Sequence, residues 1–218
     1  MPSQTNRQMA LDQYRLRAQI YDAELAAFEP VRRRAIECLQ LQPGNTAMDI
    51  GCGTGLSLES LQQGVGPHGS IVGIEQSPEM FALAHRRVER QNWRNVTLVN
   101  APVESATIDC LADAALFHFT HDILRHPGGI RHVVAHLKPG ARVVAAGLQW
   151  SAPWDWPTNW RVFFAAMYST TSLEGLAQPW SHLAQLVGEM QAVPSPIPGV
   201  FIVSGKYLPK ETEVVHHV

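Results

Sequence analysis

The stretch 47-AMDIGCGTGL-56 decides how the rest of the chain is read. A short apolar run leads into an acidic residue, Asp49, and then into glycines at every second position: Gly51, Gly53 and Gly55. Glycine tolerates positive φ and lets a ligand lie against bare backbone. The residues that follow, "LSLESLQQG", have the spacing of a helix. A buried strand, a glycine-rich turn and a helix in that order form a nucleotide-binding arrangement. Its ligand is expected outside the carboxyl ends of parallel strands, near the switch point of the sheet.

The chain on either side repeats the alternation. "TAMDI", "SIVGIEQ", "VTLVNA", "ADAALFHFT" and "ARVVAAGLQW" read as short, mostly apolar strands. Between them, "GLSLESLQQG" is expected to be a helix closed by Gly64. "SPEMFALAHRRVERQN" is expected to be one capped by Ser77 with Pro78 at its first position, and "IRHVVAHL" a third, with "LKPG" as the turn into the fifth strand. Apolar strands alternating with helices imply a parallel sheet with right-handed crossovers. Upstream, Leu11 to Leu41 reads as two helices, the second opened by Pro30 and stopped at Pro43-Gly44. Downstream, "WSAPWDWPTNW" fits no period. "WRVFFAAMYST" and "SHLAQLVGEM" are helical again, and "QAVPSPIPGVFIVSGKYL" reads as a strand, a Pro-Gly turn and a last strand. The expected organisation is one domain over 1–218. It divides into an N-terminal helical lid (1–41), a cofactor-binding core (42–149), a cap insertion with its helix (150–190) and a C-terminal hairpin (191–208).

Two features narrow the nucleotide. A dinucleotide turn wants G-x-G-x-x-G, and here the third glycine comes one residue early. Glu75 ends the second strand, 24 residues after Gly51 (75 − 51), where a carboxylate can accept both hydroxyl protons of a ribose diol and would repel a 2′-phosphate. The partner therefore carries an adenosine-like ribose.

At this point the sequence resembles the class I S-adenosylmethionine-dependent methyltransferases. "MDIGCGTG" carries the resemblance. "GIEQSPEM", "LKPGARVVAAG" and the final hairpin support it, so it covers roughly residues 40–150 and 190–208. The resemblance implies a Rossmann-like α/β fold with a seven-stranded, mostly parallel sheet, an antiparallel last strand and helices on both faces. It implies S-adenosyl-L-methionine as cofactor, with Asp49, Gly51, Cys52, Gly53 and Gly55 holding its methionine end, Glu75 its ribose, and Gln76 and Met80 flanking the adenine. The family often has an Asp after the third strand to face the adenine amino group. Here the stretch is "VNAPVES", and Asn100, Glu104 or the backbone near Val103 would have to take that part.

Methyl transfer from a sulfonium is an in-line displacement, so the protein mainly orients the partners and sometimes supplies a base. Candidates sit at the end of the fourth strand, in "LFHFTHDILRH". His118 and His121 are the candidate catalytic residues, because a neutral imidazole takes a proton near pH 7. His118 also falls beside the cofactor, and Asp122 suits the first turn of the next helix. Five histidines lie between 118 and 136, and His132 and His136 are four apart on an expected helix. No Cys or carboxylate pattern accompanies them, so no metal site is expected. Five of the six tryptophans fall within 150–180. Trp150, Trp154 and Trp160, with Arg161, are candidate acceptor contacts, through stacking, cation–π contact or a substrate carboxylate. Tyr14 and Tyr21 would close over the site from the N-terminal helix.

Composition sets the outer limits. The chain has 218 residues, is 45% hydrophobic and 17% charged, and has a formal net charge of −2. That gives no electrostatic reason to expect nucleic acid or an anionic membrane as partner. The densest basic run, Arg32-Arg33-Arg34, is expected to be a solvated helix face. Cys38, Cys52 and Cys110 are too scattered for a disulfide framework, and with no apolar leader or spanning run read in the sequence, a reducing, cytoplasmic setting is expected. The "LFHFTH" stretch lacks the N/D-P-P-Y/F pattern of enzymes that methylate nucleic-acid bases or protein glutamine. A small-molecule acceptor is therefore expected, with N-methylation favoured over O or S, and a homodimer is conceivable. Two other readings remain at this level: a non-catalytic S-adenosylmethionine-binding sensor or partner subunit, and an NAD(P)-dependent oxidoreductase.

Overall fold

The computed structural model describes residue 22, residues 25–169 and residues 173–209. Seven strands form one sheet: β1 (Thr46–Ile50), β2 (Ser70–Glu75), β3 (Val96–Asn100), β4 (Ala112–His118), β5 (Leu137–Leu148), β6 (Met190–Val193) and β7 (Val200–Lys206). Their order is β3-β2-β1-β4-β5-β7-β6. β1 to β5 pair in parallel, while β7 pairs antiparallel with both β5 and β6. The sheet is therefore the seven-stranded, mostly parallel one with an antiparallel last strand.

Strand periodicity sorts the core into two layers. Met48, Ile50, Val72, Ile74, Ala115, Phe117, Val143 and Ala145 face one side. There they meet Ile130, Val133 and Val134 of α5 (Pro127–Ala135) and Leu183 and Val187 of α7 (Ser181–Val187). Ala47, Ile71, Ala114, Leu116, Val144 and Ala146 face the other. They meet α1 (Glu29–Leu39), α2 (Leu58–Val65) and Val162 and Ala166 of α6 (Trp156–Ser169). α3 (Pro78–Gln91) packs against β2 and β3. The strand order reverses at β1: β2 and β3 are added on one side of it, and β4 on the other. That reversal opens a crevice at the strand ends.

Local signals behave as their chemistry requires, with instructive exceptions. Ser77 Oγ accepts a hydrogen bond from the Met80 N–H, and Pro78 opens α3. Pro30 sits at the start of α1. Gly64, expected to close α2, lies within it instead, because Leu41 side-chain atoms are 2.9 Å from where its Cβ would stand. Gly66, at φ +67°, ends that helix. The "LKPG" segment is not a free turn. β5 spends residues 137 to 142 where β4 advances only from Ala112 to Ala114, so the segment is a bulge inside the strand. α6 begins at Trp156, inside the stretch that showed no period, because Asp155 receives the Thr158 N–H and Asn159 ties back to Ser151 and Ala152.

Candidate functional site

The glycine turn leaves β1 at the crevice. Gly51 and Cys52 both donate their N–H to the Ile74 carbonyl, which pins the turn to the end of β2. Gly51 has φ +70° and Gly53 φ +57°. A Cβ on Gly51 would stand 2.6 Å from Thr120 Cγ2, so both backbone geometry and space exclude a side chain there. Gly55 serves a different purpose. Its missing Cβ would meet Leu58 Cδ1 at 2.7 Å and Ala84 Cβ at 3.3 Å, so it lets α2 and α3 approach each other, and it lines neither of the cavities described next.

Two cavities meet at this turn and share Gly51, Gly53 and His118. The larger, about 580 Å³, is lined by Glu75, Gln76, Met80, Ala101, Phe119, Thr120, Asp122 and Ile123 in addition. The smaller, about 300 Å³, is lined by Arg32, Asp49, Cys52, Thr54 and Ser57, with Leu25 and Leu56.

Glu75 is buried, and its two carboxylate oxygens accept from the N–H groups of Gly53 (2.9 Å) and Ser77 (2.7 Å). Burial raises its pKa, and those backbone donors hold it back. Each oxygen keeps a second lone pair, so the carboxylate both fixes the glycine turn and can accept ribose hydroxyls. Asp49 is more strained electrostatically. Burial and the nearby Glu75 push its carboxyl up to about 7, against the pull of the Arg32 guanidinium. Among the described residues its Oδ2 has no hydrogen-bond partner. Burial also raises the Cys52 thiol, with Asp49 and Glu75 adding to it, so the thiol is neutral.

The two histidines part company. His118 ends β4 and borders both cavities, and its buried Nε2 has no partner among the described residues. Burial, reinforced by Arg32, pushes the ring down to about 3. It is neutral at physiological pH but far too weak a base to remove a proton there. His121 lies outside both cavities. Its Nε2–H donates to the Leu148 carbonyl at 3.0 Å, and its ring lies over Gly147, whose Cβ would stand 2.7 Å from it. His121 thus ties α4 (His121–Leu124) to β5.

Several other expected contacts fall elsewhere. Asn100 turns its amide back to the Glu75 carbonyl (2.8 Å), Val103 is buried in the core, and Glu104 lies near His126. None of the three lines either of these two cavities, and Ala101 borders the larger one in their place. Trp150 packs on the core, with its backbone N–H donating to the Leu176 carbonyl. Trp160 (56% exposed) and Arg161 face solvent, because α6 turns Val162 and Ala166 inward and its aromatic side outward, and Trp154 (83%) is exposed in the turn before α6. Tyr14 and Tyr21 lie outside the described residues. His132 and His136 hydrogen-bond to the Ala106 and His132 carbonyls, and no group of metal-ligating side chains occurs among the described residues.

The structure also brings in residues the sequence reading left out. Arg32, expected on a solvated face, is 3% exposed and reaches the smaller cavity, while Arg33 and Arg34 remain exposed. The signal was present: Arg32 lies three, four and seven residues before Ala35, Ile36 and Leu39, on the buried stripe of α1. Phe119 carries φ +57° and packs on Phe28 at 4.8 Å between ring centres. No sequence pattern announces a left-handed phenylalanine.

Comparison with known proteins agrees with this geometry. Residues 47–140 match a family model described as a methyltransferase domain. A 37.1 kDa protein of transposon Tn4556 from Streptomyces fradiae is 33% identical over 120 residues, 54% of this chain and 34% of that protein. The arsenite methyltransferase of Halobacterium salinarum is 26% identical over 118 residues, 52% of this chain and 29% of that enzyme. The chain thus spans about a third of the length of these relatives. In three dimensions, a SAM-dependent methyltransferase from Aquifex aeolicus superposes with a TM-score of 0.58 at 18% identity, covering 81% of this chain and 89% of that one. At that identity the likeness speaks for the fold.

Proposed function

This chain belongs, through its methyltransferase domain, to the class I S-adenosylmethionine-dependent methyltransferases, and we propose that it moves a methyl group from S-adenosylmethionine to a small-molecule acceptor. The observation that carries the reading is the turn at Gly51 and Gly53, held by the Glu75 carboxylate and opening onto two joined cavities. The larger cavity suits the adenosine, with Glu75 toward the ribose and Met80 and Ile123 beside the ring, and the smaller suits the amino-acid end. When bound, the sulfonium supplies a methyl group already activated for displacement. The protein then has to orient the acceptor in line and exclude water.

The groups bordering the cavities favour an acceptor that arrives with a free lone pair. His118 is too weak a base at neutral pH, and Glu75 is engaged by backbone donors. A neutral amine nitrogen fits that requirement, so N-methylation is our choice. The absence of a net positive charge supports a small acceptor over nucleic acid.

Calorimetry with S-adenosylhomocysteine, beside NADH, tests the cofactor. A panel of amines, phenols and thiols with methyl-labelled donor tests the acceptor. The expected result is S-adenosylhomocysteine binding, no response to NADH, and label transfer to an amine. Binding with no turnover on any acceptor would favour a cofactor-sensing role, and NADH binding would refute the reading.

A further inference from the structure

The outer face of α6 is as apolar as its inner one. Inward, Val162 and Ala166 are buried in the core. Outward, Trp156, Trp160, Phe164 and Met167 follow at helical spacing, and Trp154 stands in the turn before them. These five side chains are 56% to 83% exposed. The other large hydrophobic side chains exposed among the described residues, Leu111 and Leu208, lie far from them in the chain. A helix that is apolar all round is a buried helix, so the outer stripe of α6 calls for a second surface. The stripe is also preassembled. Trp160 stacks on Phe164 with ring centres 5.4 Å apart, and Phe163 meets both rings edge-on at 6.2 and 5.6 Å. From inside, Val162 Cγ2 comes within 2.5 Å of where a Cβ on Gly199 would stand, which seats the helix against the turn into β7. Rings already held in place lose little side-chain freedom when something docks on them.

Area and charge identify the occupant. A large side chain of this kind covers roughly 200 Å², so five of them, about two-thirds exposed, offer about 650 Å² of apolar surface. That exceeds the usual largest patch of a monomer and approaches the ~800 Å² that each partner contributes to a standard interface. The charges at its margin are one of each sign. Asp155 precedes the helix, and Arg161 lies about a quarter turn from the centre of the stripe. A helix that lies on a membrane carries Lys and Arg in number beside its apolar face, and α6 has Arg161 alone. A charged partner protein would call for a stripe of opposite sign. An uncharged apolar stripe with balanced margins is complementary to a copy of itself.

We propose that the outer face of α6 is the docking surface for a second copy of this chain, with α6 packed against α6 across a two-fold axis. In such a pair each residue meets its counterpart reciprocally. An axis level with residue 162 sets antiparallel helices so that Trp160 lies opposite Phe164 of the partner subunit, and Trp156 opposite Met167 of the partner subunit. The aromatic trio then forms the centre of the interface, where Trp side chains contribute most, and Arg161 falls at the rim. The proposal is independent of what the chain methylates.

The test is the mass of the full chain in solution, by sedimentation equilibrium from submicromolar to tens of micromolar protein. Wild type is expected to reach the mass of two 24.1 kDa chains at the upper end. Phe164→Glu places like charges at the centre of the pair and is expected to weaken association about 100-fold or more, with the unfolding transition kept because the side chain points outward. Leu208→Glu puts the same charge on an exposed apolar position beyond the Lys206 end of β7, at the opposite end of β5 from α6, and should leave the dimer intact. A wild type that stays a monomer throughout overturns the proposal and needs no variant to fold. So does a Phe164→Glu dimer as tight as wild type. Both proteins are also sedimented with phosphatidylcholine vesicles. A monomeric wild type that pellets with the vesicles, while Phe164→Glu does not, shows that the face meets lipid and likewise overturns the proposal. None of these readouts involves S-adenosylmethionine, so their failure leaves the methyltransferase reading standing.

Discussion

Asp49 is where the site's demands and the fold's stability conflict most openly, and Asn in its place tests that conflict. The Asp49 carboxyl is buried, with one oxygen unpartnered among the described residues and its pKa pushed up to about 7. An unfolded Asp titrates near ~3.9. A folded pKa above the unfolded one means that the folded state holds the proton more tightly. The contribution to stability is therefore greatest below about pH 4 and is lost as pH rises through about 7. Three pH units at ~1.36 kcal/mol each give a total loss of about 4 kcal/mol, of which about 2.5 kcal/mol falls between pH 5 and pH 8. Asn keeps the shape and does not ionise. Asp49→Asn should therefore be more stable than wild type at pH 8, with a gap about 2.5 kcal/mol smaller at pH 5. For a chain of this length that change in the gap is about 5–10 °C in Tm. The assay is urea or thermal unfolding of both proteins without ligand across that range, read as the difference between them, so that other titrating groups cancel. Wild-type and variant curves that stay parallel from pH 5 to pH 8 would refute the reasoning, because they would mean that Asp49 is already ionised in the folded protein. The gain in stability should come with weaker S-adenosylhomocysteine binding.

Gly51→Ala forces a side chain into left-handed backbone, 2.6 Å from Thr120 Cγ2. It should lose about 2–4 kcal/mol of stability and all measurable S-adenosylhomocysteine binding, seen by denaturation and calorimetry. Glu75→Gln replaces one acceptor oxygen by a donor facing the backbone N–H groups of Gly53 and Ser77. It should weaken S-adenosylhomocysteine about 10- to 100-fold in calorimetry while the protein stays folded. His121→Ala removes the bond to the Leu148 carbonyl from a buried position. It should cost about 1–3 kcal/mol in urea unfolding and leave cofactor affinity unchanged. Trp160→Ala, on the solvent side of α6, should leave S-adenosylhomocysteine affinity within about twofold, by the same calorimetry.

The order of the elements was legible because it rests on local chemistry. The apolar strands β1, β2, β4 and β5 had to be buried on both faces, Ser77 and Pro78 had to open a helix, and Gly51, Gly53 and Glu75 carry geometry in their residue types. The pieces that could not be read depend on what a neighbour does. Gly64 resembles a helix stop until Leu41 is packed against it, and "LKPG" resembles a turn until the register of β4 makes it a bulge.

The site divides in the same way. The sequence alone determined that a glycine turn and an acidic strand end would meet a nucleoside, since the conformational freedom of glycine and the acceptor geometry of a carboxylate are properties of single residues. Tertiary structure decided which ionisable groups face the cavity and in what state. One histidine of the pair borders both cavities with its basicity suppressed, and the other is spent on a backbone carbonyl. An arginine from a helix some twenty residues upstream becomes a wall of the site (Arg32 before Gly51). Trp160 turns to solvent because Val162 and Ala166 claim the inward face of its helix, and Trp154 is exposed in the turn before that helix. Burial and charge proximity are sums over residues distant in the chain, and only the folded molecule brings them together.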